Sequence, residues 1–285
     1  MFILSMAIFG TIGLFVRLIP LPSSMIALVR AAMGALFLLG LLLCKKRAPD
    51  RAAIRRNWKP LLLSSVAMAT QWILLFEAYR YTTVAVATLC YYMSAVFVMI
   101  ASPFILGEKL TPHKALCAGA AVVGMVLVSG VLESKAGAFS PLGVLLGLTA
   151  ALFYAVVVLC NKRTKDISGY DTTFVQLLTA AVALMPYVLL TEDLSQIREL
   201  EPAGLGMLLA VGILHTGVAY AMYFSSLQKI KAQTAALFSY LDPVLALLLS
   251  VFVLREGMTV PGVIGSVMVL GAMLASERNP KFEKL

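Results

Sequence analysis

Asp242 and Pro243 stand side by side in FSYLDPVLALLLS (Phe238–Ser250), a run otherwise fit for the hydrocarbon core of a bilayer. A charged side chain at that depth costs about 2.5–3.5 kcal/mol or more. Proline has no N–H, so the carbonyl of Ser239, four residues back, is expected to lose its helical partner. A carboxyl group beside a freed carbonyl gathers oxygen acceptors that suit a proton, a cationic group or the amine of a zwitterion. The competing reading is a protonated acid tied to a neighbouring helix, with the proline supplying a kink and nothing more.

His215 lies midway along VGILHTGVAYAMY (Val211–Tyr223), at a depth matching that of Asp242. An imidazole brought against the carboxyl would govern which of the two holds a proton. Arg30 and Glu77 are the other charges inside apolar runs, each a few residues below the outer end of its segment. Their similar depth allows a salt bridge, acting as an outer gate or as a structural tie; a snorkelling arginine is the plainer alternative. Glu108 and Glu256 tempt a relay reading, but each stands in a short link before a new segment. Thr111-Pro112 reads as an N-cap followed by N1, so loop fixation and capping explain these glutamates better.

Other chemistry finds little support. There are two histidines, one of them (His113) in a loop, and no HExxH, no CxxC and no GxxxxGK[ST]. No metal or cofactor is expected, and ATP is not the direct energy source. Cys44, Cys90, Cys117 and Cys160 lie in or at the edges of apolar segments and read as small packing residues. Ser239, His215 and Asp242 contain the parts of a hydrolytic triad, but no nucleophile motif accompanies them. An intramembrane enzyme is therefore the remote alternative.

The elements that must position these residues are set by composition. Of 285 residues, 61% are hydrophobic and 13% charged, against about 25% charged in soluble domains. Mean hydropathy is +0.93. Cutting at charged and Pro/Gly-rich breaks leaves ten apolar segments, 2–19, 24–44, 60–79, 83–106, 112–132, 140–160, 172–191, 203–226, 232–254 and 258–276, most of them about the 20 residues a transmembrane helix needs. Backbone groups in hydrocarbon must be paired internally, so these are expected to be helices. No cleavable leader is read at the start; the first segment is taken as a span, and its shortness leaves room for a native start upstream of Met1.

With the N-terminus placed inside, seventeen of the 23 Lys and Arg fall on inner loops, while the loop TEDLSQIRELE (Thr191–Glu201) is acidic and faces out. The net charge of +9 is thus a topological bias, and nucleic acid is not an expected partner. Both termini are expected in the cytoplasm, with the chain in a cytoplasmic membrane of bacterial type.

Sliding the chain by 148 residues aligns Phe76–Thr111 with Phe224–Thr259, matching Ala87 with Ala235, Tyr92 with Tyr240, Ser102 with Ser250 and Glu108 with Glu256. A weaker echo pairs LSMAIFG (Leu4–Gly10) with LTAALFY (Leu148–Tyr154). The expected organisation is a five-helix repeat over 1–133, a second of opposite orientation over 140–276 and a cytoplasmic tail over 277–285. An odd number of helices per repeat inverts the second half, the architecture of carriers that rock about a midplane site.

The Phe9-Gly10 pair in the first helix, Arg30 early in the second, and the helix-ending stretches ILGEKLT (Ile105–Thr111) and VLREGMT (Val253–Thr259) resemble a known family. The chain is similar over essentially its whole length to ten-helix members of the drug/metabolite transporter superfamily, EamA type. It departs from that pattern in having Phe9 where tryptophan is usual, and Ser94-Ala95 where the fourth helix usually has Ser-Pro. The resemblance implies a central cavity lined by the first, third, fourth, sixth, eighth and ninth helices. On those helices Trp72, Tyr91, Tyr154, His215 and Asp242 are the candidates, with Ser239 beside the acid. It also implies export of amino-acid-like metabolites or drugs.

The expected function is a secondary carrier of a small organic solute, amino-acid-like, amphipathic or cationic, with protons as coupling ion and the lipid bilayer as surroundings, acting as monomer or homodimer. An uncoupled facilitator, or an importer, is the alternative.

Overall fold

The computed structural model describes residues 1–17, 19–82, 84–128, 140–242, 244–245 and 260–277. Among them all regular structure is helical: α1 (Phe2–Arg17), α2 (Ser23–Cys44), α3 (Arg51–Arg56), α4 (Trp58–Tyr81), α5 (Val84–Tyr92), α6 (Ser94–Leu106), α7 (Pro112–Val128), α8 (Pro141–Arg163), α9 (Gly169–Thr191), α10 (Pro202–Ala210), α11 (Ala219–Leu227), α12 (Ala232–Phe238) and α13 (Val260–Glu277). A π-helical stretch, Val211–Val218, joins α10 to α11 without interruption, and a 3₁₀ turn covers Leu194–Ile197.

The starts of these helices carry the expected chemistry. Asp50 accepts from the N–H groups of Ala52 and Ala53 at α3, Ser140 from Gly143 at α8 with Pro141 in the first turn, and Ser168 from Asp171 at α9. Thr111 accepts from Lys114 N–H at 3.3 Å where α7 begins with Pro112. Gly107 closes α6 with φ +69°, a left-handed cap that favours glycine. Within α6, Pro103 deprives the Met99 carbonyl of its backbone donor, and the Ser102 hydroxyl supplies one at 3.2 Å.

Five helical stretches are long and apolar enough to cross a membrane: Ser23–Cys44, Leu89–Leu106, Pro141–Arg163, Gly169–Thr191 and Pro202–Leu227. Their outward faces are bare hydrocarbon. Phe104 and Leu190 are each 86% exposed, which water would penalise and lipid does not. The fold is that of an integral membrane protein.

The two halves of the chain interleave. α4 packs on α8 and α9, α2 on α9 and the π stretch, α1 on α11, α6 on α8 and α12, and α7 on α13. Buried small side chains, Ala27, Ala31, Ala35, Ala150, Ala151, Ala155, Ala180 and Ala181 among them, set these close approaches. Glycines serve the same purpose: a Cβ on Gly124 would meet the Gly265 carbonyl at 2.8 Å, one on Gly143 Thr82, and one on Gly147 Cys90. Gly119 and Gly271 have nothing within 4 Å of that position and face open space instead. Gly212 and Gly217 admit Met33 and Phe37 of α2 against the π stretch. Cys90 and Cys117 are buried as expected, whereas Cys44 is exposed at the end of α2.

Polar ties between the halves gather where the basic loops lie. The carboxylate of Glu108 accepts from the N–H groups of Ala232 at 2.8 Å and Gln233 at 3.3 Å, so this link residue caps the start of α12 in the other half. Gln233 Nε2 donates to the Ser102 hydroxyl at 2.9 Å, and Lys162 Nζ donates to the carbonyls of Leu227 and Ile230. Asn57 exchanges two bonds with the Lys165 backbone (2.8 and 2.9 Å), and Arg47 pairs with the buried Asp171 at 3.0 Å. Deeper in, Gln176 Nε2 donates to Ser64 and Asn161, stitching α4, α8 and α9 together. Glu256 lies outside the described residues.

Candidate functional site

The segment bearing Asp242 breaks before the proline is reached. Ser239 and Tyr240 form a turn in which bonding tightens to three-residue spacing, Tyr240 N–H to the Leu237 carbonyl at 3.2 Å and Asp242 N–H to the Ser239 carbonyl at 3.4 Å. The Ser239 carbonyl is therefore not free, contrary to the expectation from the missing N–H of Pro243; a long 3₁₀-type bond takes the place of the helical one. Pro243 itself lies outside the described residues. The segment carrying Tyr91 and Tyr92 breaks at the matching depth, where Met93 N–H bonds the Cys90 carbonyl at 3.1 Å between α5 and α6. No proline stands there, so the break belongs to the packing and not to one residue type.

The two breaks face each other. Tyr92 O–H donates to Asp242 Oδ2 at 2.9 Å, and the rings of Tyr92 and Tyr240 lie 6.3 Å apart. Asp242 is half-buried. Its second oxygen takes no hydrogen bond, and no basic side chain pairs with it, among the described residues. Ser239, also half-buried, donates to the Ala236 carbonyl at 2.6 Å and lines a small cavity together with Ser94, Tyr154 and Tyr223.

From Asp242 an aromatic lining runs through the interior. Tyr92 meets Tyr91 (5.9 Å between centroids) and Tyr91 meets Tyr154 (5.5 Å). Tyr154 O–H donates to the Tyr223 hydroxyl at 3.2 Å. Phe9 touches both Tyr223 and Tyr220, and Tyr220 stands edge-on to Trp72 at 6.4 Å. The lining ends at Arg30, whose guanidinium carbon is 5.0 Å from the centre of the Trp72 ring. Tyr220 lies within electrostatic reach of both Arg30 and Asp242.

His215 is buried but does not meet Asp242. Its Nε2 is 2.7 Å from the Thr11 hydroxyl, its Nδ1 is 3.2 Å from the Ala210 carbonyl, and its ring packs on Phe15 at 4.8 Å. A carbonyl only accepts, so Nδ1 carries the hydrogen. Nε2 then accepts from Thr11 when the ring is neutral and donates to it when the ring is charged. In the second case the Thr11 hydroxyl turns to the Ile8 carbonyl, 2.7 Å away. Both states fit without moving a heavy atom. The π stretch makes this possible: its extra residue per turn places His215 and Thr216 over the carbonyls five back, Ala210 and Val211.

Arg30 and Glu77 are not brought together. Arg30 Nε donates to the Thr216 hydroxyl at 3.1 Å, while Glu77 accepts from Tyr187 at 3.2 Å. Ser24 at the start of α2 is tied to Glu192 at the end of α9 at 2.5 Å. Trp72, Tyr91, Tyr154, Ser239, Asp242 and Arg30 thus share one interior region, His215 joins it from behind through Thr216, and Glu77 stands apart. Thr11 and Thr216 were not singled out from sequence, and Tyr92 was noted only as the repeat partner of Tyr240. For Tyr92 a signal existed: the 148-residue offset that aligns it with Tyr240 also sets Ser94 against Asp242, and residues matched in this way meet where the two halves face each other.

A profile of the EamA-like transporter family matches residues 1–130 and 141–276. The uncharacterized transporter YxxF of Bacillus subtilis is 27% identical over 272 residues, 95% of this chain and 86% of its own. An uncharacterized transporter of Archaeoglobus fulgidus is 25% identical over 97% of this chain and 95% of its own, and the protein PecM of Dickeya dadantii is 24% identical over 76% and 72%. A crystal structure superimposes with a TM-score of 0.82 at 18% identity, covering 96% of this chain and 94% of that one, a likeness of fold.

Proposed function

This chain belongs to the EamA-like transporter family, and we propose that it is a proton-coupled exporter of small amphipathic metabolites working by alternating access. The protein is a membrane transporter of small molecules. In the proposal its ten spans form two five-helix repeats of opposite orientation, with both termini in the cytoplasm of a bacterial cell. The packing supports the repeat. Exchanging the halves turns the contact of α1 with α11 into that of α8 with α4, and the contact of α2 with the π stretch into that of α9 with α4; the pairs α2–α9 and α7–α13 map onto themselves.

One observation carries the coupling: Asp242 sits in the membrane interior with one carboxyl oxygen held by Tyr92 and the other without a hydrogen bond among the described residues. An open carboxyl in a region that must exclude bare charge takes either a proton or the cationic group of a substrate, not both. Competition for that oxygen exchanges proton for substrate each time the site changes sides. The tyrosine lining offers ring faces to an amphipathic or cationic solute. His215, which fits neutral or charged, supplies a second proton position at Thr11.

The test is thermal unfolding of the detergent-purified protein against a panel of amino acids, amines and aromatic metabolites at pH 6 and pH 8. A ligand at a hundredfold excess over its dissociation constant stabilises by about 2.7 kcal/mol. The expected hit is a solute with an amine or other cationic group that stabilises more at pH 8 than at pH 6, since protons compete less there. A panel whose hits are indifferent to pH would leave an uncoupled facilitator.

A further inference from the structure

Among the described residues Arg30 is a cation without a counter-ion. It lies seven residues into α2, roughly 10 Å along the helix from Ser23 at 1.5 Å per residue. Among the described residues no carboxylate pairs with it: Glu77 is bonded to Tyr187, and Asp242 to Tyr92. Its Nε donates to Thr216 and the Tyr220 hydroxyl lies within hydrogen-bonding reach, so neutral groups fix the plane of the guanidinium while none of its five N–H donors meets a carboxylate among the described residues. The group is half-buried, set between Trp72 and Tyr220 on two other helices, and it ends the aromatic lining that begins at Asp242.

A snorkelling arginine turns its head to the interface. This one is held by Thr216 and stacked on Trp72 inside the bundle. A guanidinium at such depth is costly unless an anion joins it, and its fork matches two carboxylate oxygens. We propose that Arg30 docks the carboxylate of the transported solute. The substrate class is then an amphipathic organic acid, or an amphoteric molecule carrying a carboxylate at the Arg30 end, an apolar or aromatic body along the tyrosines and, where it has one, a cationic group at Asp242. This rests on the carrier reading above and assigns Arg30 a role apart from Asp242.

The test uses ligands that differ only in the charged group: 3-phenylpropionate and 3-phenylpropanol, measured by thermal stabilisation of the wild type, Arg30→Gln, Arg30→Lys and Asp242→Asn. The acid is expected to bind the wild type at least tenfold more tightly than the alcohol. Arg30→Gln abolishes that preference, Arg30→Lys restores part of it because charge returns without the fork, and Asp242→Asn keeps it. Equal binding of acid and alcohol by the wild type, binding of neither, or a preference that survives Arg30→Gln overturns the inference. If Arg30→Gln fails to fold, the two-ligand comparison on the wild type decides. Loss of pH dependence in Asp242→Asn with an intact acid preference separates the two readings, since it touches the coupling and not Arg30.

Discussion

Asp242→Asn is expected to abolish uphill transport while leaving substrate exchange in place. An amide has the size of the acid and still accepts from Tyr92, so the break at Ser239–Tyr240 and the tie to α5 survive. It does not take up or release a proton. A pH gradient of one unit stores about 1.4 kcal/mol per proton, which sustains up to a tenfold solute gradient in one-for-one exchange. In proteoliposomes with such a gradient the wild type should approach that ratio for the panel's best solute and Asp242→Asn should stay at unity. Counterflow of labelled against unlabelled solute should persist in the variant. A variant that still accumulates solute would remove Asp242 from coupling and turn attention to His215.

Gly169→Ala should be the most damaging single methyl in the described structure. Gly169 opens α9, and a Cβ there would lie 2.5 Å from the backbone N and Cα of Ser225 in α11. Backbone at that distance cannot rotate away as a side chain can, so one helix must shift. The same turn carries the Ser168 cap and the buried Arg47–Asp171 pair, which would move with it. Overpacking of this kind costs about 1–3 kcal/mol and more where backbone is the obstacle. A loss of that size lowers the midpoint of thermal unfolding by roughly 2–12 °C in a chain near this length. Gly119→Ala is the internal control: nothing lies within 4 Å of its Cβ position, and alanine favours helix by about 0.5–1 kcal/mol, so its midpoint should hold or rise. Equal effects at both positions would contradict the packing of α9 on α11.

Much of the helical framework is legible in the sequence. The segments read at 24–44, 140–160 and 172–191 coincide within a few residues with α2, α8 and the greater part of α9, because long apolar runs bounded by charge and capping residues have one solution in a membrane. Asp242 was legible too, since an acid in such a run is conspicuous. The partners were not. Tyr92 and Asp242 are 150 residues apart, Thr11 and His215 204, Glu108 and Ala232 124. Their meeting depends on how two helices pack, which local pattern does not encode. His215 and Asp242 were matched by depth, yet depth leaves azimuth open, and the π stretch rotates His215 toward α1. Arg30 and Glu77 failed to pair for the same reason. Proline misled in a different way: it marks where a helix bends easily, but the turn at Met93 shows that the interior fold imposes a break without it.

Proton displacement by the solute is the most direct test of competition at Asp242. The purified protein in weakly buffered detergent at pH 6 would be titrated with the panel's best solute while released protons are followed with an indicator dye. Close to one proton per bound solute is expected for the wild type, and none for Asp242→Asn at equal occupancy. Binding by the wild type without any proton release would contradict the account and leave the chain a carrier driven by its solute gradient alone.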